Sequence, residues 1–260
     1  MEETFTMDEI IEKSTTLNAD TKNDFKTIKQ MFKALEEDFI HLLFSIEFLN
    51  ILTYRYTYVL SEAKVNLDCY TKNILMSDII STLFRIWDKN TDTNNLYIIS
   101  TILNKNHSLK DFIINLYSQN KTITSEKVKK IIEQIPHTNK HRILQDIKKY
   151  RNEQIGHNSQ NKQVSSLNLG KVMIYADLTL KYASNFDNIV LGEIRDYSIF
   201  PKESSYSLAL EELKKISLPL EIQSHNLGIR KNPLEYTDGD VADAAKQILL
   251  DLEVDKDIFL

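Results

Sequence analysis

The chain is poor in the residues that staple or break a fold. Its 260 residues include one cysteine, Cys69, so no disulfide can close within the chain and no multi-cysteine metal site can form. That suits a reducing cytoplasm. Only five glycines and four prolines occur, and before residue 190 the breakers are Pro136, Gly156 and Gly170 alone. Long periodic runs between so few interruptions read as helices. No apolar segment resembling a signal peptide follows the acidic Met1-Glu2-Glu3-Thr4. The most hydrophobic run, Phe39 to Leu60, is broken by Glu47, Asn50 and Arg55, which favours a core helix over a membrane span. A soluble, cytoplasmic protein without membrane partners is therefore expected. A glycine-rich phosphate loop and a nucleophile elbow are also missing, so nucleoside triphosphate hydrolysis and serine-hydrolase chemistry lack support.

What is there suffices for a large core, since 42% of the residues are hydrophobic. The formal net charge of −5 argues against global attraction to nucleic acid. One local patch runs the other way, where Lys140, His141, Arg142, Lys148, Lys149, Arg151 and Lys162 concentrate positive charge.

In chain order, a leading segment over 1–20 carries Met7, Ile10 and Ile11 on one side of a short helix. Asp20 or Thr21 is the expected cap of the next helix, in which Phe25, Ile28, Met31, Phe32 and Leu35 recur at spacings of three and four. From Phe39 the apolar residues Ile40, Leu43, Phe44, Ile46, Phe48, Leu49 and Ile51 cover more than one face, as in a central helix. Ser61 to Asp88 reads as another long helix or a continuation of that one, with Val65, Leu67, Tyr70, Ile74, Leu75, Ile79, Leu83, Ile86 and Trp87 buried. A loop over Lys89 to Asn94 follows. Helices over Leu96–Leu103 and Leu109–Tyr117, joined by 104–108, come next, then Ser125–Ile135, capped by Ser125 and stopped by Pro136. Thr138 is the expected cap of another helix ending near Gly156, before a polar loop over Asn158 to Asn168. Gly170 to about Phe186 supplies a long amphipathic helix whose pattern runs on through Ile189, Val190 and Ile194. With no strand-period alternation, the fold class predicted is all-α, an antiparallel helical bundle over 21–200.

Beyond Pro201 the breakers Pro219, Gly228, Pro233 and Gly239 separate helices expected near 204–216 and 240–253. Residues 201–260 read as a helical and irregular appendage without recognisable chemistry. Asp238-Gly239-Asp240 lacks the ligand spacing of a calcium loop, and Asp240 is better placed as a helix cap.

One helix end carries an unusual side chain. Leu144, Ile147, Arg151 and Ile155 follow at spacings of three, four and four, so Arg151 falls on the buried stripe, where a charge must be paired or functional. His157 lies six residues on, and a straight helix would turn it about 120° from Arg151 with an offset of about 9 Å. Gly156 allows a left-handed helix end that swings His157 back over the Arg151 face. The bland alternative pairs Arg151 with a carboxylate such as Asp88 and makes His157 a helix-end residue. His137 and His141 share a helical spacing but lack a third ligand, so exposed histidines at a helix start are expected rather than a metal site. His41 reads as a hydrogen-bonded interior histidine.

Arg151-Asn152, four further residues and His157 resemble the R-N-x-x-x-x-H motif of the HEPN superfamily. Arg85-Ile86-Trp87-Asp88 on the long upstream helix, followed by a polar loop and the Leu96 helix, resembles the R-L-x-D segment of its abortive-infection U (AbiU2-type) branch. The resemblance spans roughly residues 25–195. It implies a HEPN-type helical bundle and a metal-independent, cofactor-free endoribonuclease of anti-phage defence or a toxin. It further implies Arg151, Asn152 and His157 as catalytic residues, with Lys148 and Lys149 binding RNA and Arg85, Asp88 and Gly156 supporting the groove. Commonly dimeric relatives point to a homodimer, and an antitoxin or phage-derived trigger is a further candidate partner. Gly156 stands where the family usually has alanine, leaving a more flexible helix end. Ser159 stands where one toxin branch has a tyrosine modified by a nucleotidyltransferase antitoxin, so that control is not expected.

The residue types suit this chemistry. His157 can take the 2′-hydroxyl proton or protonate the leaving 5′-oxygen, and Arg151 can hold the phosphate with two hydrogen bonds and stabilise its added charge. Asn152 can position a phosphate oxygen or His157. One histidine cannot easily be base and acid at once, a physical reason for two copies to meet at one groove. The alternative function is a non-catalytic helical dimer that binds RNA, nucleotide or a partner protein, and a third is an inhibitory partner of another toxin.

Overall fold

The computed structural model describes residues 6–55, 62–90, 92–118, 123–138, 142–152, 167, 169–200 and 204–211. Among these the secondary structure is helical, with no strand. Helices α1 (Met7–Lys13), α2 (Ala19–Ala34), α3 (Glu36–Arg55) and α4 (Glu62–Trp87) are followed by α5 (Leu96–Lys105), α6 (His107–Leu116) and α7 (Ser125–Thr138). Then come α8 (Arg142–Tyr150) and α9 (Leu169–Phe186), the latter running into a π-helical turn, Asp187–Leu191. The fold is all-α, a helical bundle as the hydrophobic period requires. No helix among the described residues is long and apolar enough to cross a membrane.

The longest contact is between α3 and α4, and α9 lies against α3, α4, α7 and α8. A second layer of α2, α5, α6 and α7 packs alongside. Phe25, Ile28 and Phe32 from α2 and Leu35 at its C-cap are buried as their spacing predicts, as are Phe39, Leu43, Ile46 and Leu49 from α3, which buries Leu42 as well. Phe32 stacks on Phe186 with ring centroids 5.2 Å apart, and Tyr197 packs on Phe39 at 5.0 Å. Trp87, at the end of α4, lies between Tyr175 and Tyr182 of α9 and donates its indole N–H to Thr179 Oγ1 at 3.0 Å. That bond satisfies the one polar atom of a buried indole.

Several expected boundaries move, each for a local reason. Asn18, not Asp20 or Thr21, caps α2, because its Oδ1 accepts from the Thr21 N–H at 2.8 Å. Thr124 fills that role for α7, accepting from the Lys127 N–H at 3.2 Å, and Ser125 is already helical. A single residue, Asn106, joins α5 to α6 where a five-residue loop is expected, ending one helix and capping the next. Pro136 does not stop α7, which continues through Thr138, so Thr138 ends this helix instead of capping α8. A proline leaves the carbonyl four residues back without its helical donor. That carbonyl, Ile132 C=O, lies 3.5 Å from the Asn104 side-chain amide donor on α5.

Other expectations fail on burial. Ile74 is half exposed on α4, where Met76 and Ile80 are buried instead. Ile194 is fully exposed, because the wide π turn and the left-handed Gly192 (φ 73°) end the α9 pattern first. His41 is half-buried and not interior, with a side chain 44% exposed; its Nε2 lies 2.8 Å from Asp78 Oδ2, which also accepts from Ser45 Oγ at 2.6 Å. Of the appendage, residues 205–211 are helical, and Tyr206 packs its ring on Phe44 of α3 at 5.2 Å. The helix expected over 240–253 and the Asp238–Asp240 run lie outside the described residues, as do His141, the His137 side chain and the polar loop to residue 166.

Candidate functional site

The site grows out of the contact between α8 and the C-terminal end of α4. Leu144 and Ile147 are buried, Ile147 completely, and they fix the rotation of α8. The next position on that stripe is Arg151, which is half-buried where the spacing predicts a buried residue. Regular α geometry ends at Tyr150, and Arg151 and Asn152 adopt a π turn. Such local widening is frequent where a helix presents a functional side chain.

Arg151 lies on an aromatic face. Its Cζ is 4.7 Å from the centroid of the Phe84 ring on α4, within cation–π range. Nη1 donates to Asn152 Oδ1 at 3.2 Å, which holds the guanidinium from the side. Among the described residues no carboxylate forms an ion pair with it, so the Asp88 pairing is not made. Lys148, one turn earlier, brings its Nζ to 5.9 Å from the same ring centroid. Two cations thus share one aromatic platform, and their mutual repulsion makes the spot a natural place for an anion.

Beside this platform a cleft of about 220 Å³ opens between the two helices. Phe84, Trp87, Asp88 and Lys89 line it from α4 and its end; Leu144, Gln145 and Lys148 line it from α8. Asp88 accepts the Lys89 N–H on Oδ1 at 2.7 Å, which orients its carboxylate. Lys89 in turn reaches over the Tyr97 ring, with Nζ 5.4 Å from the centroid.

The sequence candidates are therefore distributed as follows. Arg151, Asn152, Lys148 and Asp88 come together around Phe84 and the cleft. Lys149 is exposed on α8. Arg85 points elsewhere: Nε and Nη2 donate to Asp38 Oδ1 at 3.1 and 2.7 Å and Nη2 to Thr82 Oγ1 at 3.1 Å, tying α4 to α3. Gly156 and His157 lie outside the described residues, and with them the proposed swing of the histidine. Phe84, Lys89 and Gln145 are additions to the site, and Leu144, expected on the buried stripe, also lines the cleft. Their signal is in the spacing, since Phe84, Trp87 and Asp88 fall on one face of α4 at i, i+3 and i+4.

An all-α bundle whose sequence carries Arg151-Asn152 and, four residues on, His157 is consistent with a HEPN-type architecture. The family model described as AbiU2, of the HEPN group, matches residues 25–191, and the chain belongs to that family. Comparisons with curated proteins and with solved structures find no match.

Proposed function

We propose that this protein is a metal-independent endoribonuclease acting in bacterial anti-phage defence or as a toxin. The observation that carries the reading is Arg151, whose guanidinium carbon lies 4.7 Å from the centroid of the Phe84 ring, beside the cleft that Phe84 and Lys148 line. A planar guanidinium in that setting matches the bidentate geometry of a phosphate.

In the proposed reaction the 2′-oxygen attacks the adjacent phosphorus, the 2′-hydroxyl proton passes to one His157 imidazole, and the bond from phosphorus to the 5′-oxygen breaks. The leaving oxygen takes a proton from an imidazolium, supplied by His157 of the second copy in a homodimer. The products are a 2′,3′-cyclic phosphate and a 5′-hydroxyl, with proton count balanced. Arg151 stabilises the charge gathered on the phosphate oxygens. Asn152 steadies Arg151 through its Oδ1 and keeps its amide hydrogens for a phosphate oxygen. Lys148 and Lys149 attract the flanking backbone.

Incubating RNA with the wild type, Arg151→Ala and His157→Ala in EDTA tests this. Cyclic-phosphate ends should appear with the wild type alone. Cleavage that survives both substitutions, or disappears on chelation, overturns the mechanism, and RNA binding without cleavage turns the assignment to a non-catalytic RNA-binding dimer.

A further inference from the structure

We propose that the cleft between α4 and α8 is a subsite for a single unpaired guanine base next to the phosphate held at Arg151. The proposal rests on the ribonuclease reading for its neighbour phosphate and on the cleft itself for the base.

At about 220 Å³ the cleft is smaller than the about 300–1,000 Å³ of pockets that take drug-sized ligands, so its occupant is one ring system and not a whole nucleoside pair. Phe84, Trp87 and Leu144 give it apolar and aromatic walls, which suit the flat face of a base. Sequence-reading proteins take RNA bases in this splayed, unpaired form, stacked on aromatics and hydrogen-bonded at their edges.

The polar rim selects among the bases. It offers one carboxylate, Asp88, the side-chain amide of Gln145, and two lysines, Lys148 and Lys89, the latter with its Nζ 5.4 Å from the Tyr97 ring centroid. Asp88 Oδ1 already accepts the Lys89 backbone N–H at 2.7 Å, so the carboxylate is fixed and presents acceptors only. Guanine alone carries two adjacent donors on its Watson–Crick edge, N1–H and the N2 amine, which a carboxylate accepts together. Its other edge carries O6 and N7, two acceptors for lysine. Adenine would turn its N1 lone pair toward the carboxylate and its N6 amine toward a lysine, so both contacts become repulsive. Lys148 lines the cleft and shares the Phe84 ring with Arg151, so the base subsite adjoins the arginine proposed to hold the phosphate.

The test is binding of the four nucleoside 5′-monophosphates to the full-length protein by calorimetry. GMP should bind at least tenfold more tightly than AMP, CMP or UMP. Arg151→Ala should weaken all four together, whereas Asp88→Asn should remove the guanine preference and leave the phosphate contribution. Lys89→Ala, at an exposed position, should narrow the preference as well, with the far-ultraviolet melting curve showing that each variant is folded. Equal affinity for the four nucleotides, or a guanine preference unchanged in Asp88→Asn, overturns the subsite. Cleavage mapping separates the two proposals. His157-dependent cutting with no guanine bias removes the subsite and leaves the nuclease; guanine-selective binding without cutting removes the nuclease and leaves the subsite. If both hold, Asp88→Asn moves the cut positions away from guanines.

Discussion

The Arg151 guanidinium carbon lies 4.7 Å from the centroid of the Phe84 ring, so a charge on the apolar stripe of α8 is supported by an aromatic face and not by the alternative ion pair with Asp88. Cation–π contacts contribute about 0.5–2 kcal/mol depending on desolvation. Replacing Phe84 by Leu keeps apolar bulk and removes the face. In the RNA-cleavage assay this should lower kcat about tenfold, equivalent to about 1.4 kcal/mol, with little change in melting temperature. Arg151→Lys keeps the charge but loses both the plane and the fork, and should fall further, toward the level of Arg151→Ala. A Phe84→Leu enzyme cleaving at the wild-type rate would show that the ring only fills space.

Much of this was legible in the sequence, and what was not follows a pattern. The stripe Leu144, Ile147, Arg151 places the arginine correctly because periodicity reports on a helix's own faces. It does not report on what lies opposite, so Phe84 stayed hidden until α4 met α8. Caps failed where several candidates crowd one helix start: Asn18, Asp20 and Thr21 are all competent, and only the backbone path decides that Asn18 precedes the first turn. Pro136 and Ile194 failed in opposite senses. A side chain from a neighbouring helix sits by the carbonyl that the proline leaves open, whereas a change of helix type ends a pattern that the hydrophobic spacing would continue.

Asn106 is a second joint that concentrates several bonds in one side chain. Its Oδ1 accepts from the Leu109 N–H at 3.0 Å, capping α6, while Nδ2 donates to Asp24 Oδ2 at 2.7 Å on α2. Asn106→Ala should cost about 1–2 kcal/mol, the usual loss for a cap, with some addition from the Asp24 bond. Asn106→Asp keeps the cap acceptor but sets two carboxylates against each other. It should be less stable than Asn106→Ala at pH 7 and recover on acidification, read by urea unfolding at both pH values. An Asn106→Asp variant more stable than Asn106→Ala at both pH values would mean that the Asp24 contact contributes nothing.

Gly192 ends the π turn with φ 73°, in the left-handed region. A Cβ there would stand 2.7 Å from the Cβ of Met7, which anchors α1. Gly192→Ala therefore meets two penalties: the backbone cost of about 1–2 kcal/mol and a clash that must displace α1. Differential scanning calorimetry should show a drop of several degrees or more. Adding Met7→Ala should not rescue it, because alanine retains the atom that clashes. Full rescue by Met7→Ala would place the strain in the methionine's outer side chain instead.

The same turn buries a carboxylate whose charge works against folding. Asp187 is buried, and its Oδ2 accepts from the Tyr197 hydroxyl at 2.9 Å. Burial pushes its pKa up to about 6, against the opposing pulls of the Tyr197 hydrogen bond and the Arg195 charge. Arg195 is itself engaged by Glu36, which limits what it can do for Asp187. In the unfolded chain the group titrates near 3.8. Between these values the folded protein holds the proton and the unfolded chain does not, so stability falls as pH rises through that window and levels off above it. A shift of this size corresponds to about 3 kcal/mol at most. Asp187→Asn keeps an acceptor for Tyr197 and removes the charge. Its urea-unfolding free energy should lose the downward slope between pH 4 and 6, and at pH 7.5 it should exceed that of the wild type. Parallel pH profiles for the two proteins would mean that the carboxylate is ionised in the folded state throughout, with its charge compensated by Arg195 after all.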